Sequence, residues 1–170
     1  YDMVLRDWSS DVCSSDLTTF AAALLQGIKA RGIHTALDTC GQCPWKSLET
    51  LLPFTDMVLF DIKLIDPHKH QTFTGHTNEL ILANLSSVAA SIRDKGGVLW
   101  IRTPIIPQAT DTPENLRAIG AFIAHNLNGC VQRWELCAFN NLCRDKYRRL
   151  DKDWAFKDCE LIPKDRMEEL

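Results

Sequence analysis

Four short runs rich in β-branched and aromatic residues, separated by stretches whose apolar positions recur at helical spacing, constrain this chain's fold more than any other feature. The runs are Ile33 to Leu37, Met57 to Ile62, Val98 to Ile101 and Val131 to Phe139. A first predicted helix, Phe20 to Ala30, is opened by Thr18 or Thr19 and stopped by Gly32. Trp45 to Leu52 follows, with Pro44 suited to its first turn, and Asp66-Pro67 opens a short helix. Thr77 starts a longer one, Glu79 to Arg93, with Leu80, Ile81, Leu85, Val88 and Ile92 on its apolar stripe and Gly96-Gly97 at its end. Asp111-Thr112-Pro113 caps Glu114 to Leu127, and a last helix begins at Pro163 within a polar, Trp/Phe-studded tail. Strands alternating with helices of this length make βα units, a parallel sheet and right-handed crossovers. The fold class is α/β.

The 170 residues are 45% hydrophobic and 24% charged, a composition that buries one core and makes one domain. A net charge of -3 argues against nonspecific nucleic-acid binding, which needs a basic surface. No apolar run approaches the roughly 18 residues that span a membrane. Seven cysteines, an odd number without a regular framework, suit a reduced cytoplasmic chain better than a disulfide scaffold.

The segment 1–17 stands apart. Asp7-Trp8-Ser9-Ser10-Asp11-Val12-Cys13-Ser14-Ser15-Asp16-Leu17 can be encoded by a string that resembles a common short-read sequencing adapter. The segment is therefore set aside from fold reasoning as non-native, with Cys13, and 18–170 is taken as the domain. On that expectation at least two strands precede Thr18 in the intact protein, the C-terminus is cut as well, and Ile33 to Leu37 is an exposed strand edge.

The four strands end at Asp38, at Asp61 and Lys63, at Arg102 and at Asn140. In parallel α/β folds ligands bind at that edge, where the βα loops converge. Asp61 and Lys63 share a strand face because strand side chains repeat every two residues. Two carboxylates, a lysine and an arginine suit a zwitterionic ligand bearing hydroxyls, or an ion beside it.

Five landmarks then carry a resemblance. They are Asp38-Thr39-Cys40-Gly41, Leu59-Phe60-Asp61-Ile62-Lys63, His70-Gln71-Thr72-Phe73-Thr74-Gly75, Ile101-Arg102-Thr103-Pro104-Ile105-Ile106-Pro107, and Glu135-Leu136-Cys137-Ala138-Phe139 followed by Lys146-Tyr147. In this order they resemble the glycyl-radical-enzyme activating enzymes of the pyruvate formate-lyase activase type, within the radical SAM superfamily. The likeness runs from about Thr18 to about Leu150. It implies a partial (β/α) barrel that binds S-adenosylmethionine (SAM) and a [4Fe-4S] cluster. It also implies a 5′-deoxyadenosyl radical that takes hydrogen from a backbone glycine of a partner glycyl radical enzyme, with a flavodoxin or ferredoxin as electron donor. By the same resemblance Asp61 and Lys63 contact the ribose side of SAM, Arg102 meets its methionyl carboxylate, and Asp38 joins Asp61 around a monovalent cation. Asn140 stands where many relatives carry a histidine. The cluster-binding Cys-x3-Cys-x2-Cys loop and a glycine-rich strand belong upstream of Thr18, so the fragment alone is expected to be inactive.

Competing readings exist for the cysteines. Cys40-Gly41-Gln42-Cys43 between a strand and a helix has the setting of a thioredoxin-type redox pair. Cys40, Cys43, Cys137 and Cys143 form a zinc set if their loops converge. Cys130, Cys137 and Cys159 otherwise read as small packing residues, His68 and His70 as solvated, and Arg144, Lys146, Arg148 and Arg149 as a solvated face that could meet an acidic partner. A non-catalytic docking module is the last alternative.

Overall fold

The computed structural model describes residues 3–6, 15–127, 129–142, 144–154 and 156–170. Five parallel strands lie side by side in chain order: β1 (Met3–Arg6), β2 (Thr35–Thr39), β3 (Met57–Asp61), β4 (Val98–Ile105) and β5 (Val131–Ala138). Between them run α1 (Ser15–Lys29), α2 (Trp45–Leu51) with a 3₁₀ turn at Leu52–Phe54, α3 (Pro67–Thr74), α4 (Glu79–Lys95) and α5 (Pro113–Asn126). The short helices α6 (Arg144–Arg149) and α7 (Lys164–Glu168) complete the tail. A parallel sheet wound in strict sequence sends each crossover over the same face. The sheet is that of a barrel wall, not a doubly wound sandwich.

Alternation along the strands shows which face the helices cover. Leu99, Ile101, Thr103 and Ile105 are buried while Val98, Trp100, Arg102 and Pro104 are half-buried, and β3 alternates likewise with Val58 and Phe60 inward. Leu25 of α1, Leu48 of α2, Leu85 and Val88 of α4 and Ile119 of α5 close over those inward residues in one core. Complete burial of a ring such as Phe60 stabilises by about 2–3 kcal/mol. The opposite face stays partly open, and the charged residues lie on it.

The helix starts follow the sequence signals closely. Asp66 accepts from Lys69 N at 2.9 Å to cap α3, and Thr112 accepts from Asn115 N at 3.3 Å to cap α5. Three expectations change. β4 does not close on Arg102 but continues to Ile105, through Pro104. β3 has already ended at Asp61, opposite Arg102, so on that side the missing proline N–H forfeits no ladder bond. His70 is buried, not solvated, with Nδ1 2.7 Å from the His76 carbonyl and 3.0 Å from the Thr74 hydroxyl. Finally, Met3–Arg6 pairs in parallel with Thr35–Asp38, so β2 is not the open edge expected for it. Unpaired edge groups recruit any extended apolar segment within reach, and Met-Val-Leu-Arg is one. Residues 7–14, most of the adapter-like string, lie outside the described residues.

Candidate functional site

Three strand ends bring their charges together. Arg102 donates from Nε and Nη2 to Asp61 Oδ1 at 3.0 and 2.8 Å, and Nη2 donates also to Asp38 Oδ1. Lys63 Nζ stands 3.9 Å from Asp61 Oδ2. Register makes this arrangement: Asp61 lies opposite Arg102, and Asp38 lies opposite Leu59, which points to the same face as Asp61 two residues on. Burial works against the charge on Arg102, but Asp61 and then Asp38 outweigh it and raise its pKa. The gap between the two aspartates, expected to take a monovalent cation, is spanned here by the guanidinium. Asn140 is exposed beyond β5, its Oδ1 accepting from Leu142 N at 3.2 Å, which leaves the amide N–H₂ for another partner.

Buried amides hold the loops that follow these strands. Asn84 of α4 donates to the carbonyls of Gly41 and Cys43 at 2.8 and 2.7 Å, pinning the loop after β2. Asn78 donates to the Leu64 and Ile65 carbonyls at 2.8 and 2.7 Å. Asn115 of α5 donates to Lys63 O at 3.0 Å and Thr110 O at 3.1 Å, and accepts from Ile65 N at 3.2 Å. Gly41 itself has φ +71°, and a Cβ there would lie 2.2 Å from the Phe60 ring. None of these braces stood out in the sequence.

The open sheet face adds residues that strand-end reasoning missed. Glu135 lies opposite Arg102, and Arg133 opposite Trp100. The Arg133 guanidinium sits 4.1 Å from the Trp100 ring centroid and 3.0 Å from Glu135 Oε1. Cys137, expected as packing, is exposed on this face opposite Pro104. Partial burial raises its thiol pKa, Arg102 opposes the rise, and the Asp61, Glu135 and Asp38 charges add to it. Alternation from Arg102 and Asp61 was the signal that could have found Glu135.

Cys40 is half-buried and Cys43 buried, and both precede the seven-residue α2, which starts at Trp45. Cys143 of the four-cysteine zinc set lies outside the described residues. Among the described residues no three or more His, Cys, Asp or Glu are grouped to hold a metal ion, and no helix is long and apolar enough to cross a membrane.

A sequentially wound parallel sheet with charges converging at one edge defines a partial (β/α) barrel with a candidate ligand site at its mouth. The fold is shared with the crystal structure of a domain of pyruvate-formate lyase-activating enzyme from Bacteroides vulgatus, at TM-score 0.72 and 21% identity over 97% of this chain and 88% of that one. No protein-family model matches the chain. Among curated relatives, (2S)-3-sulfopropanediol dehydratase activating enzyme of Klebsiella oxytoca is 32% identical over 84% of the chain and 44% of its own length. Pyruvate formate-lyase-activating enzyme of Streptococcus mutans is 38% identical over 77% of the chain and 50% of its own length. The chain belongs to the glycyl-radical-enzyme activating enzymes of the radical SAM superfamily. It spans about half the length of these relatives.

Proposed function

We propose that the protein to which this chain belongs activates a partner glycyl radical enzyme, and that this chain supplies much of its SAM site. The observation that carries the proposal is the Asp38–Arg102–Asp61 cluster, with Lys63 beside it, at the strand ends of the family's fold. The residues fit SAM. Arg102 offers a cation to the methionyl carboxylate, and Lys63 and Asp61 offer a donor and acceptors to the ribose hydroxyls. Gln42, in the loop after Asp38, holds a buried Oε1 without a hydrogen-bond partner, an acceptor still owed a donor. When bound, SAM supplies the deoxyadenosyl group that abstracts hydrogen from the partner's glycine.

In this reading Arg102 uses Nε and Nη2 to stay anchored on the aspartates and turns Nη1 to the ligand carboxylate. Lys63 and Asp61 engage the ribose side. The Arg102 guanidinium takes the place between Asp38 and Asp61 that a monovalent cation would need, and the Asn140 amide stands in as donor for the histidine of many relatives. The described residues do not fit a [4Fe-4S] cluster, and no role assigned to them here runs through one. The partner is a glycyl radical enzyme, the electron donor a flavodoxin or ferredoxin, and the compartment the reducing cytoplasm.

Full-length enzyme carrying this segment tests the proposal. Arg102→Ala should weaken SAM binding roughly ten- to a hundredfold, and Arg102→Lys should recover only part, because a point charge cannot reproduce the fork. Cys40→Ser with Cys43→Ser should leave deoxyadenosine release near wild type. A thioredoxin-type protein would show the reverse: dithiol reduction lost with the cysteines and indifferent to Arg102. A docking module would show no SAM dependence at all.

A further inference from the structure

Just below the strand ends, the open sheet face carries a polar set that the Asp38–Arg102–Asp61 cluster does not use. Glu135 shares the face of Arg102 and Asp61, because the β4–β5 register places it opposite Arg102. Arg133, two residues back on the same face, pairs with Glu135 at 3.0 Å while its guanidinium covers Trp100 at 4.1 Å. Trp134 between them turns the other way and donates to the Thr103 hydroxyl at 3.0 Å. The Glu135 side chain is 33% exposed and that of Arg133 55%, so both remain within reach of a ligand.

We propose that Glu135, steadied by Arg133 on Trp100, binds the backbone of the glycine-bearing loop of the polypeptide substrate. This assignment rests on the activity proposed above and names how its substrate is recognised. Glycine has no side chain, so an enzyme that selects one has only the backbone N–H, the C=O and the missing Cβ to read. A carboxylate beside a guanidinium offers an acceptor and a donor to the two polar groups of a peptide unit. The planar Arg133 guanidinium, stacked on Trp100, gives a segment without a Cβ a flat surface to lie against. Charge argues for the same occupant, since an apolar cover would strand Glu135 and Arg133 out of water, whereas a polypeptide backbone gives each a partner. The face is continuous with Arg102 and Asp61, so a segment laid on it lies beside whatever those residues hold.

The test uses the full-length enzyme carrying this segment and two fluorescein-labelled blocked heptapeptides, read by anisotropy without reductant. One has glycine at its centre among alanine and serine; its twin has N-methylglycine there and so lacks the central N–H. Wild type should bind the glycine peptide about tenfold more tightly than the twin. Glu135→Met should lose most of that preference while SAM affinity stays within about twofold of wild type, the tolerance expected for a half-exposed site. Glu135→Gln, which keeps an acceptor, should retain part of the preference. Trp100→Leu should weaken both peptides alike. A preference that survives Glu135→Met, or a wild type that binds neither peptide, overturns the assignment. Glycine-selective, Glu135-dependent binding by an enzyme that fails to bind SAM would instead sink the activity proposed above and leave the role of Glu135 standing.

Discussion

Arg102 is both a ligand candidate and the counter-ion of two carboxylates, so its removal reaches beyond binding. Arg102→Ala leaves Asp38 and Asp61 facing each other in a half-buried setting without the cation they share. Breaking such an arrangement costs on the order of 2–4 kcal/mol, which urea denaturation of the chain would register, with Arg102→Lys in between. Gly41 is constrained from two sides, by its positive φ and by the Phe60 ring 2.2 Å from where a Cβ would stand. Gly41→Ala should cost about 3 kcal/mol, and pairing it with Phe60→Leu should recover the steric part but not the backbone part. At the other end of the sheet, burial pushes the Asp56 carboxyl up. The Lys29 ammonium at 2.6 Å and the Thr35 N–H and hydroxyl more than reverse this, bringing it from 3.8 down to about 2. A depressed carboxylate stabilises above its unfolded pKa, and its contribution is lost as pH falls through the folded value. With Lys29 half exposed this is worth about 1 kcal/mol. Asp56→Asn should therefore lower the melting temperature at pH 7, with the difference shrinking as pH falls from about 4 and vanishing only below the folded value of about 2.

The helices act as braces for loops they do not follow in sequence. Asn84→Ala would take away the side-chain donor that ties the Gly41 and Cys43 carbonyls to α4, a loss of about 2 kcal/mol. Limited proteolysis should then cut within residues 40–44 faster, while the site of first cleavage elsewhere stays put. These braces also mark what was legible in the sequence and what was not. Strand and helix positions followed from periodicity and caps, which are local, so β3 and α5 came out within a residue or two. Asp38, Asp61 and Arg102 could be brought to one edge because each apolar run in the sequence stops at its charge, even though β2 ends one residue past Asp38 and β4 three past Arg102. Asn84 meets the Cys43 carbonyl across 41 residues and Asn115 the Lys63 carbonyl across 52, distances at which no local pattern exists. Glu135 sits within its run, three residues before the strand ends, and only the period-two alternation puts it on the face of Arg102. His70 looked like any surface histidine because the turn that buries it, through Thr74 and His76, is set by Gly75.

For the molecule as a whole, sequential winding leaves one sheet face sealed by helices and the other half open, and leaves the outer strands exposed at their edges. β1 covers β2 along Thr35–Asp38. Deleting residues 1–6 should bare that edge again, and the shortened chain is expected to scatter light at a lower temperature on heating than the chain with β1. An unchanged scattering onset would show that β2 needs no cover.

Pro104 bears on the same question at the mouth. β4 outruns β3 by the stretch from Thr103 to Ile105, and there, on the side away from β5, no strand of the described residues lies beside it. A proline in that stretch withholds the one donor that a passing extended chain would need to zip against it. If the proposed ligands and polypeptide segment pass beside Arg102, Pro104 gives them no backbone donor to be captured by, and the entrance stays an entrance.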